Sequence, residues 1–326
     1  MVDYLVQLME AGEFEKCLRL AEHQLLEGGM SLTELATLNM VICRCRLGVN
    51  DPYGAINSGL LAAKLAGDTH QWDTYGRVLL NVGTAYMGTR QYDLALQNLY
   101  SYFERQHYYV ESRRFEGAVW RGIGIAHQRK QESRLAIDAL KKAYHWFAKQ
   151  GVDQSAFSTL HDLVHTYLQV FDTKGGSLDQ VHELLTDQKK IARKYPGDSY
   201  FRAYYLNDQS AYYLRARRWG RALVCAYKAL DIRKNDHILA FHAHMNLCHG
   251  YRELGEAKQA LSYALAARVS ALQGRHYDLE YIAAHTMADL IRKQETELVR
   301  QLDEEYAAMG IDLGQYLSPA LLRRDN

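Results

Sequence analysis

The sequence predicts an all-α protein, a right-handed α-solenoid (superhelix) of about seven to eight helical hairpins. The first observation is a pattern of four parts: a small residue, an aromatic residue or His three positions later, a polar turn, and a second small residue nine positions after the aromatic. The second is that the pattern recurs about every forty residues. Two amphipathic helices joined by a turn cannot bury their apolar faces alone, so neighbouring hairpins must stack.

Four segments carry the pattern most clearly. Their small, aromatic and second small residues are, in chain order, Gly83, Tyr86 and Ala95; Gly124, His127 and Ala136; Ser210, Tyr213 and Ala222; and Cys248, Tyr251 and Ala260. We expect the small residues to be the points where the two helices of a hairpin approach closely. The aromatic residue is expected to fill the space beside that contact.

Weaker copies of the pattern fill the rest of the chain. The second small position, which Val181 takes after a longer turn, is occupied in order by Cys17, Ala55, Ala95, Ala136, Val181, Ala222 and Ala260, at separations of 38, 40, 41, 45, 41 and 38 residues. Such regularity predicts a single elongated domain over residues 1–309, closed by a helix over residues 295–309. Residues 310–326 are then a C-terminal tail, either a cap or a contact in an oligomer.

The segments "NVGTAYMGTRQYDLAL" and "NLCHGYRELGEAKQAL" resemble the signature of the tetratricopeptide-repeat (TPR) family. The period here is longer than the roughly 34 residues of that family, which predicts longer helices. Repeats of this length resemble the solenoid of the peptide-sensing regulators of Gram-positive bacteria. The resemblance implies a concave groove, lined by the first helix of each hairpin, that binds a peptide or a protein.

Composition excludes several classes of partner and location. The 326 residues carry a formal net charge of +1, so no global field attracts nucleic acid or anionic lipid. No run approaches the roughly 18 apolar residues that span a bilayer, and no secretory leader is expected at the N-terminus. Five cysteines, an odd number without a C-x-x-C pair, predict a reducing cytoplasmic compartment.

Catalytic and metal signatures are weak. The sequence has no G-x-S-x-G elbow, Walker loop or dinucleotide-binding glycine fingerprint, so we predict a protein that is not an enzyme and needs no cofactor. His161 and His165 are four residues apart, a spacing that can bind zinc, but no H-E-x-x-H motif accompanies them. We therefore predict no metal site.

Polar residues on the first helices are the predicted ligand-binding residues. Asn can bond both backbone groups of an extended peptide, and Arg can grip a carboxylate with two parallel bonds. The predicted groove residues are Arg44, Arg77, Asn81, Arg121, Gln128, His161, His165, Asn207, Asp208, His242, Asn246, His249 and Arg252. Asn207 and Asn246, one repeat apart, are expected to present their amides on the same wall.

These observations predict a non-catalytic scaffold that binds a protein or an extended peptide and makes no direct contact with membrane or nucleic acid. A homodimer is compatible with the sequence. One alternative is a cytoplasmic sensor of peptide pheromones whose solenoid changes pitch when the peptide binds. An alternative of another class, a metal-dependent enzyme using the histidine-rich helices, has the least support.

Overall fold

The structure, a computed structural model, describes residues 2–104, 115–233, 235–274 and 276–292. Within these ranges the chain forms fifteen α-helices and no strand, which confirms the predicted all-α class. The predicted closing helix over residues 295–309 and the tail over residues 310–326 lie outside the described residues.

Contacts group the chain into two compact units, Met1–Thr166 and Tyr167–Asn326, which we call unit 1 and unit 2. Four hairpins lie in unit 1: α1 (Val2–Glu10) with α2 (Phe14–Glu27), α3 (Leu32–Gly48) with α4 (Pro52–Asp68), α5 (Trp72–Gly88) with α6 (Tyr92–Glu104), and α7 (Glu116–Arg129) with α8 (Ser133–Gln150). The next helix, α9 (Asp153–Lys174), begins in unit 1 and ends in unit 2.

Unit 2 continues the same alternation of helices. It contains α10 (Asp179–Lys194), α11 (Ser199–Arg215) with α12 (Trp219–Ile232), α13 (His237–Glu253) with α14 (Ala257–Gln273), and α15 (Tyr277–Arg292). We call the odd-numbered helices first helices and the even-numbered ones second helices. Seven hairpins are therefore complete within the described residues, in agreement with the seven to eight that the sequence predicts.

Polar side chains cap the starts of several first helices. Ser31 and Glu34 form a capping box at α3: the Ser31 hydroxyl accepts from the Glu34 N–H at 3.3 Å, and the Glu34 carboxylate accepts from the Ser31 N–H at 2.9 Å. The Asp236 carboxylate accepts from the Leu239 N–H at 3.1 Å at the start of α13. These bonds satisfy amide groups that have no partner inside the helix.

Each hairpin turn contains a residue in the left-handed backbone region. In the turn between α5 and α6 this residue is Arg90, with φ of 62°, and the N–H of Gln91 donates to the Tyr86 carbonyl at 2.9 Å. Apart from Gly175, which precedes Gly176 in the same turn, the full set is Gly12, Asn50, Arg90, Gln131, Gly176, Arg217 and Gly255. Each lies five residues before one of the second small residues, so the turn and the small contact repeat together.

The small residues are the points of close approach, as predicted. All seven second small residues are fully or almost fully buried. A Cβ atom on Gly83 would lie 2.7 Å from Leu99 Cγ, and one on Gly124 would lie 2.5 Å from Leu140 Cγ. In a later hairpin the Ser210 hydroxyl donates directly to the Ala222 carbonyl, 2.8 Å away.

First helices form an inner layer in each unit. In unit 1, α1 contacts α3, α3 contacts α5 and α5 contacts α7; in unit 2, α11 contacts α13. The second helices pack against the first helices of their own and the next hairpin, as α4 does with α3 and α5. The face that the first helices present is called the inner face below. Of the helices described, none has both the length and the apolar character to span a bilayer.

Candidate functional site

A cavity of about 610 Å³ opens on the inner face of unit 1. Four of the predicted groove residues contribute to its wall, and they come from three successive first helices. The full lining is Met9, Glu10, Gly12, Phe14, Arg44, Arg77, Leu80, Asn81, Thr84, Met87, Phe115, Ala118, Arg121, Gly122, Ile125, Phe147 and Ser155. The cavity therefore combines apolar side chains with arginine and amide groups, as ligand pockets do.

Two of the cavity's arginines lie over phenylalanine rings. The Arg44 guanidinium carbon is 5.5 Å from the centre of the Phe14 ring, and that of Arg77 is 5.3 Å from the centre of the Phe115 ring. Cation–π contacts at these distances are attractive and orient the guanidinium plane. A cation–π contact consumes no N–H hydrogen bond, so the guanidinium N–H donors can still bind an acceptor.

The charges of the cavity are only partly matched. Arg121 Nε donates to the Asp162 carboxylate at 2.6 Å, so its charge has a close counter-ion. Arg77 Nη1 lies 3.8 Å from Glu10 Oε1, and Arg44 has no ion-pair partner among the described residues. The lining contains one acidic residue, Glu10, and three arginines. The cavity wall therefore carries an excess of positive charge.

Asn81 brings an unused hydrogen-bond donor to the cavity wall. Its side chain is only 7% exposed, and its Nδ2 atom is buried without an acceptor in the described part of the chain. A buried donor that lacks a partner costs about 1–3 kcal/mol. A ligand carbonyl would satisfy this amide if the side chain turned so that its buried Nδ2 atom faced the cavity.

Three further predicted residues of unit 1 lie near the end of the inner face. Gln128 Nε2 donates to the Thr166 hydroxyl at 2.9 Å, which ties α7 to α9. The rings of His161 and His165 are edge to face on α9, with centroids 4.5 Å apart. These three residues are not part of the cavity lining.

In unit 2 the two predicted asparagines meet, but they are buried. Asn246 Nδ2 donates to Asn207 Oδ1 at 3.0 Å and to the Asn207 carbonyl at 3.3 Å. Asn207 has no exposed surface, and its own Nδ2 is buried without a partner among the described residues. Asp208 is equally buried and accepts from Gln188 Nε2 of α10 at 2.6 Å. The two asparagines are therefore close together, as the sequence predicted. They do not present their amides on an open wall, because both side chains are buried.

The remaining predicted residues of unit 2 lie on α13. Burial, with the nearby charge of Arg252, lowers the pKa of His249 from 6.5 to about 4. Arg252 is half exposed and lies 3.6 Å from the Glu253 carboxylate. His242 is partly buried, with its ring 5.1 Å from that of Phe241. A third histidine of α13, His244, which is not among the predicted groove residues, also has its pKa lowered to about 4 by burial.

The sequence analysis missed the residues that close the cavity from the sides. Glu10 ends α1, Phe14 begins α2 and Phe115 immediately precedes α7. All three lie at helix ends, whereas the four predicted residues that line the cavity lie inside first helices. Among these three residues, the sequence offered a signal only for Phe14, an aromatic residue two positions after the turn glycine Gly12.

Comparison with known proteins supports the fold. No protein-family model and no curated protein matches the sequence. Solved structures do: NprR in complex with its cognate peptide NprX gives a TM-score of 0.61 at 13% identity over 94% of this chain and 87% of that one. A Rap protein complexed with Competence and Sporulation Factor gives a TM-score of 0.63 at 12% identity, over 96% of this chain and 91% of that one.

A third structure, the apo form of the quorum sensor NprR from B. thuringiensis, gives a TM-score of 0.57 at 12% identity over 86% of this chain and 78% of that one. Identities this low establish a shared fold and nothing finer. The predicted resemblance is confirmed at that level: this chain has the TPR-like helical-repeat fold that NprR and the Rap protein share.

Proposed function

We propose that the protein is a non-catalytic scaffold that binds an extended peptide, or an extended segment of a protein, on the inner face of its first helices. The observation that carries the proposal is the cavity of unit 1, where the unpartnered amide of Asn81 lies among arginine and aromatic side chains. The scaffold needs no cofactor for this task.

The cavity offers each kind of contact that an extended peptide requires. The Asn81 amide can donate to a backbone carbonyl, and its oxygen can accept from a backbone N–H. Phe14, Phe115 and Ile125 supply apolar surface for side chains of the ligand. A ligand that satisfies the buried amide removes a penalty present in the free protein, which favours binding.

The structural likenesses support peptide or protein as the ligand class. NprR was solved with its cognate peptide NprX, and the Rap protein with Competence and Sporulation Factor. The five cysteines are free thiols, four of them buried, which supports a reducing compartment such as the cytoplasm. Direct binding of nucleic acid has no support in a chain of net charge +1. A homodimer remains part of the proposal.

A peptide sensor is the second candidate. It is favoured by the likeness to NprR, a quorum sensor that has been solved both without ligand and with its cognate peptide. A sensor changes its superhelical pitch on binding, whereas a passive scaffold keeps it. Small-angle scattering with and without a bound peptide separates the two: a change in radius of gyration supports the sensor.

Peptide selection and calorimetry test the proposal. Short randomised peptides are selected on the immobilised protein, and the affinity of an enriched peptide is measured for the wild type and for Asn81→Leu. This variant keeps the size of the side chain and removes its hydrogen bonds. The matched control is Gln97→Leu, at an exposed position of α6.

We expect Asn81→Leu to weaken binding about tenfold while Gln97→Leu binds as the wild type does. Both variants should retain the helical circular dichroism of the wild type. Unchanged affinity in a folded Asn81→Leu protein would place the ligand elsewhere. Failure to enrich any peptide would contradict the proposed function.

A further inference from the structure

We propose that the group bound in the cavity of unit 1 is a carboxylate, which replaces Glu10 as the counter-ion of Arg77. The inference rests on the proposed function and specifies its ligand: an acidic peptide with an apolar residue next to the carboxylate. Glu10 then competes with the ligand, because its carboxylate is the counter-ion of Arg77 in the free protein.

The contact between Arg77 and Glu10 is loose. Their closest atoms, Arg77 Nη1 and Glu10 Oε1, are 3.8 Å apart, whereas charge-assisted hydrogen bonds measure about 2.7–2.9 Å. The Glu10 side chain is 61% exposed, while that of Arg77 is 19% exposed. A ligand can therefore displace the carboxylate into water without moving the arginine.

Arg77 itself is held in place. Its guanidinium lies over the Phe115 ring, and its helix, α5, contacts both α3 and α7. A positioned guanidinium loses little freedom when it grips a planar carboxylate with two parallel bonds. The site is thus prepared for an incoming anion rather than for a neutral group.

The other charges of the cavity favour the same assignment. Arg121 is already matched by Asp162 at 2.6 Å, a carboxylate only 13% exposed, so it is not the primary anion site. Arg44, over the Phe14 ring, has no ion-pair partner in the described residues and adds a second positive charge to the wall. With Glu10 displaced, Arg44 and Arg77 would both face the ligand's negative charge.

The cavity is also largely apolar, which selects among anions. Leu80, Ile125 and Phe147 line it together with the two arginines. A small inorganic anion would leave this surface in contact with water, whereas a carboxylate beside an aliphatic or aromatic side chain would cover it. The carboxylate can come from an Asp or Glu side chain or from the C-terminus of the peptide.

The first experiment compares the peptides selected by three proteins. Short randomised peptides are selected on the wild type, on Arg77→Gln, and on the control Arg134→Gln at an exposed position of α8. We expect the wild type and the control to enrich peptides with an acidic residue or a required free C-terminus, each beside an apolar residue. Arg77→Gln should enrich peptides without the acidic preference.

The second experiment measures one enriched peptide by calorimetry in three forms: as selected, with its acidic side chain converted to the amide, and with its C-terminus amidated. The form whose neutralisation costs about tenfold or more in affinity identifies the source of the carboxylate. Glu10→Gln should bind the charged form several-fold more tightly than the wild type. Glu13→Gln, which changes a carboxylate that pairs with Lys16, is the control and should bind unchanged.

The outcomes separate this inference from the proposed function. If peptides are enriched on every protein without an acidic preference, and all three forms bind equally, the carboxylate assignment is wrong and the scaffold function stands. Equal affinity of the wild type and Glu10→Gln for the charged form contradicts the role of Glu10. If no peptide is enriched, the proposed function itself fails.

Discussion

Asn246 of α13 donates a hydrogen bond to the side-chain oxygen of Asn207 on α11, over 3.0 Å. The two residues are 39 positions apart, one repeat, and the bond links equivalent places on adjacent first helices. Because both side chains are buried, the pair stabilises the stacking of the hairpins in unit 2. Its first consequence is for stability rather than for ligand binding.

We therefore predict that Asn246→Ala destabilises the protein by about 1–3 kcal/mol, because Asn207 then keeps a buried oxygen without its donor. Asn207→Ala should cost a similar amount. The double variant should cost less than the sum of the two, since each single change already breaks the shared bond. Urea unfolding followed by circular dichroism provides the measurement. Additive losses would show that the two amides act independently.

Overpacking at a small position is the second prediction. Ala95 is completely buried at the contact between α5 and α6, so Ala95→Leu should force the helices apart and cost about 1–3 kcal/mol. Gln97→Leu, on the exposed side of the same helix, adds the same side chain without the steric conflict and should leave stability nearly unchanged. Equal stability of the two variants in thermal unfolding would contradict the assignment of the hairpin contact.

Acid sensitivity is the third prediction. Burial lowers the pKa of His244 and of His249 from the ordinary 6.5 to about 4, so the folded chain keeps both rings neutral where the unfolded chain protonates them. The free energy of unfolding should therefore fall as the pH drops from about 6.5 to about 4, by about 1–3 kcal/mol for each histidine.

Urea unfolding at pH values across this window measures the effect. The double variant His244→Gln, His249→Gln should show a flatter pH dependence than the wild type. His23→Gln, which changes a highly exposed histidine, is the control and should follow the wild type. A double variant as acid-sensitive as the wild type would assign the dependence to other groups.

The repeat could be predicted from the sequence because it depends on local chemistry. Small residues at fixed spacing determine where helices meet, and the aromatic residue beside them, such as Tyr86, is buried as expected. The turns were harder to read, since the left-handed position is a glycine at Gly12 and Gly255 but an arginine at Arg90. Local backbone hydrogen bonds, such as that from the Gln91 N–H to the Tyr86 carbonyl, close the turn around a non-glycine residue, and a single sequence carries no mark of it.

The candidate site could be predicted only in part for a related reason. The sequence pattern indicated that Arg77 and Asn81, four residues apart, share one side of a first helix and that Arg121 lies on the next first helix, and the cavity does contain all three. It did not indicate that Phe14 and Phe115 would reach over the arginines, because those contacts depend on how helix ends from different hairpins meet. Nor could it indicate that Asn207 is buried, since the depth of an inner-face position depends on the neighbouring helices.

Site-specific photo-crosslinking tests the central claim, that the inner face of unit 1 binds the peptide, most directly. A benzophenone amino acid is introduced at Thr84, an exposed residue of the cavity lining, or at Leu61, an exposed residue of the second helix α4. Each protein is irradiated with an enriched peptide and examined by mass spectrometry. We predict that the peptide crosslinks at Thr84 and not at Leu61. Crosslinking at Leu61 alone would contradict the account.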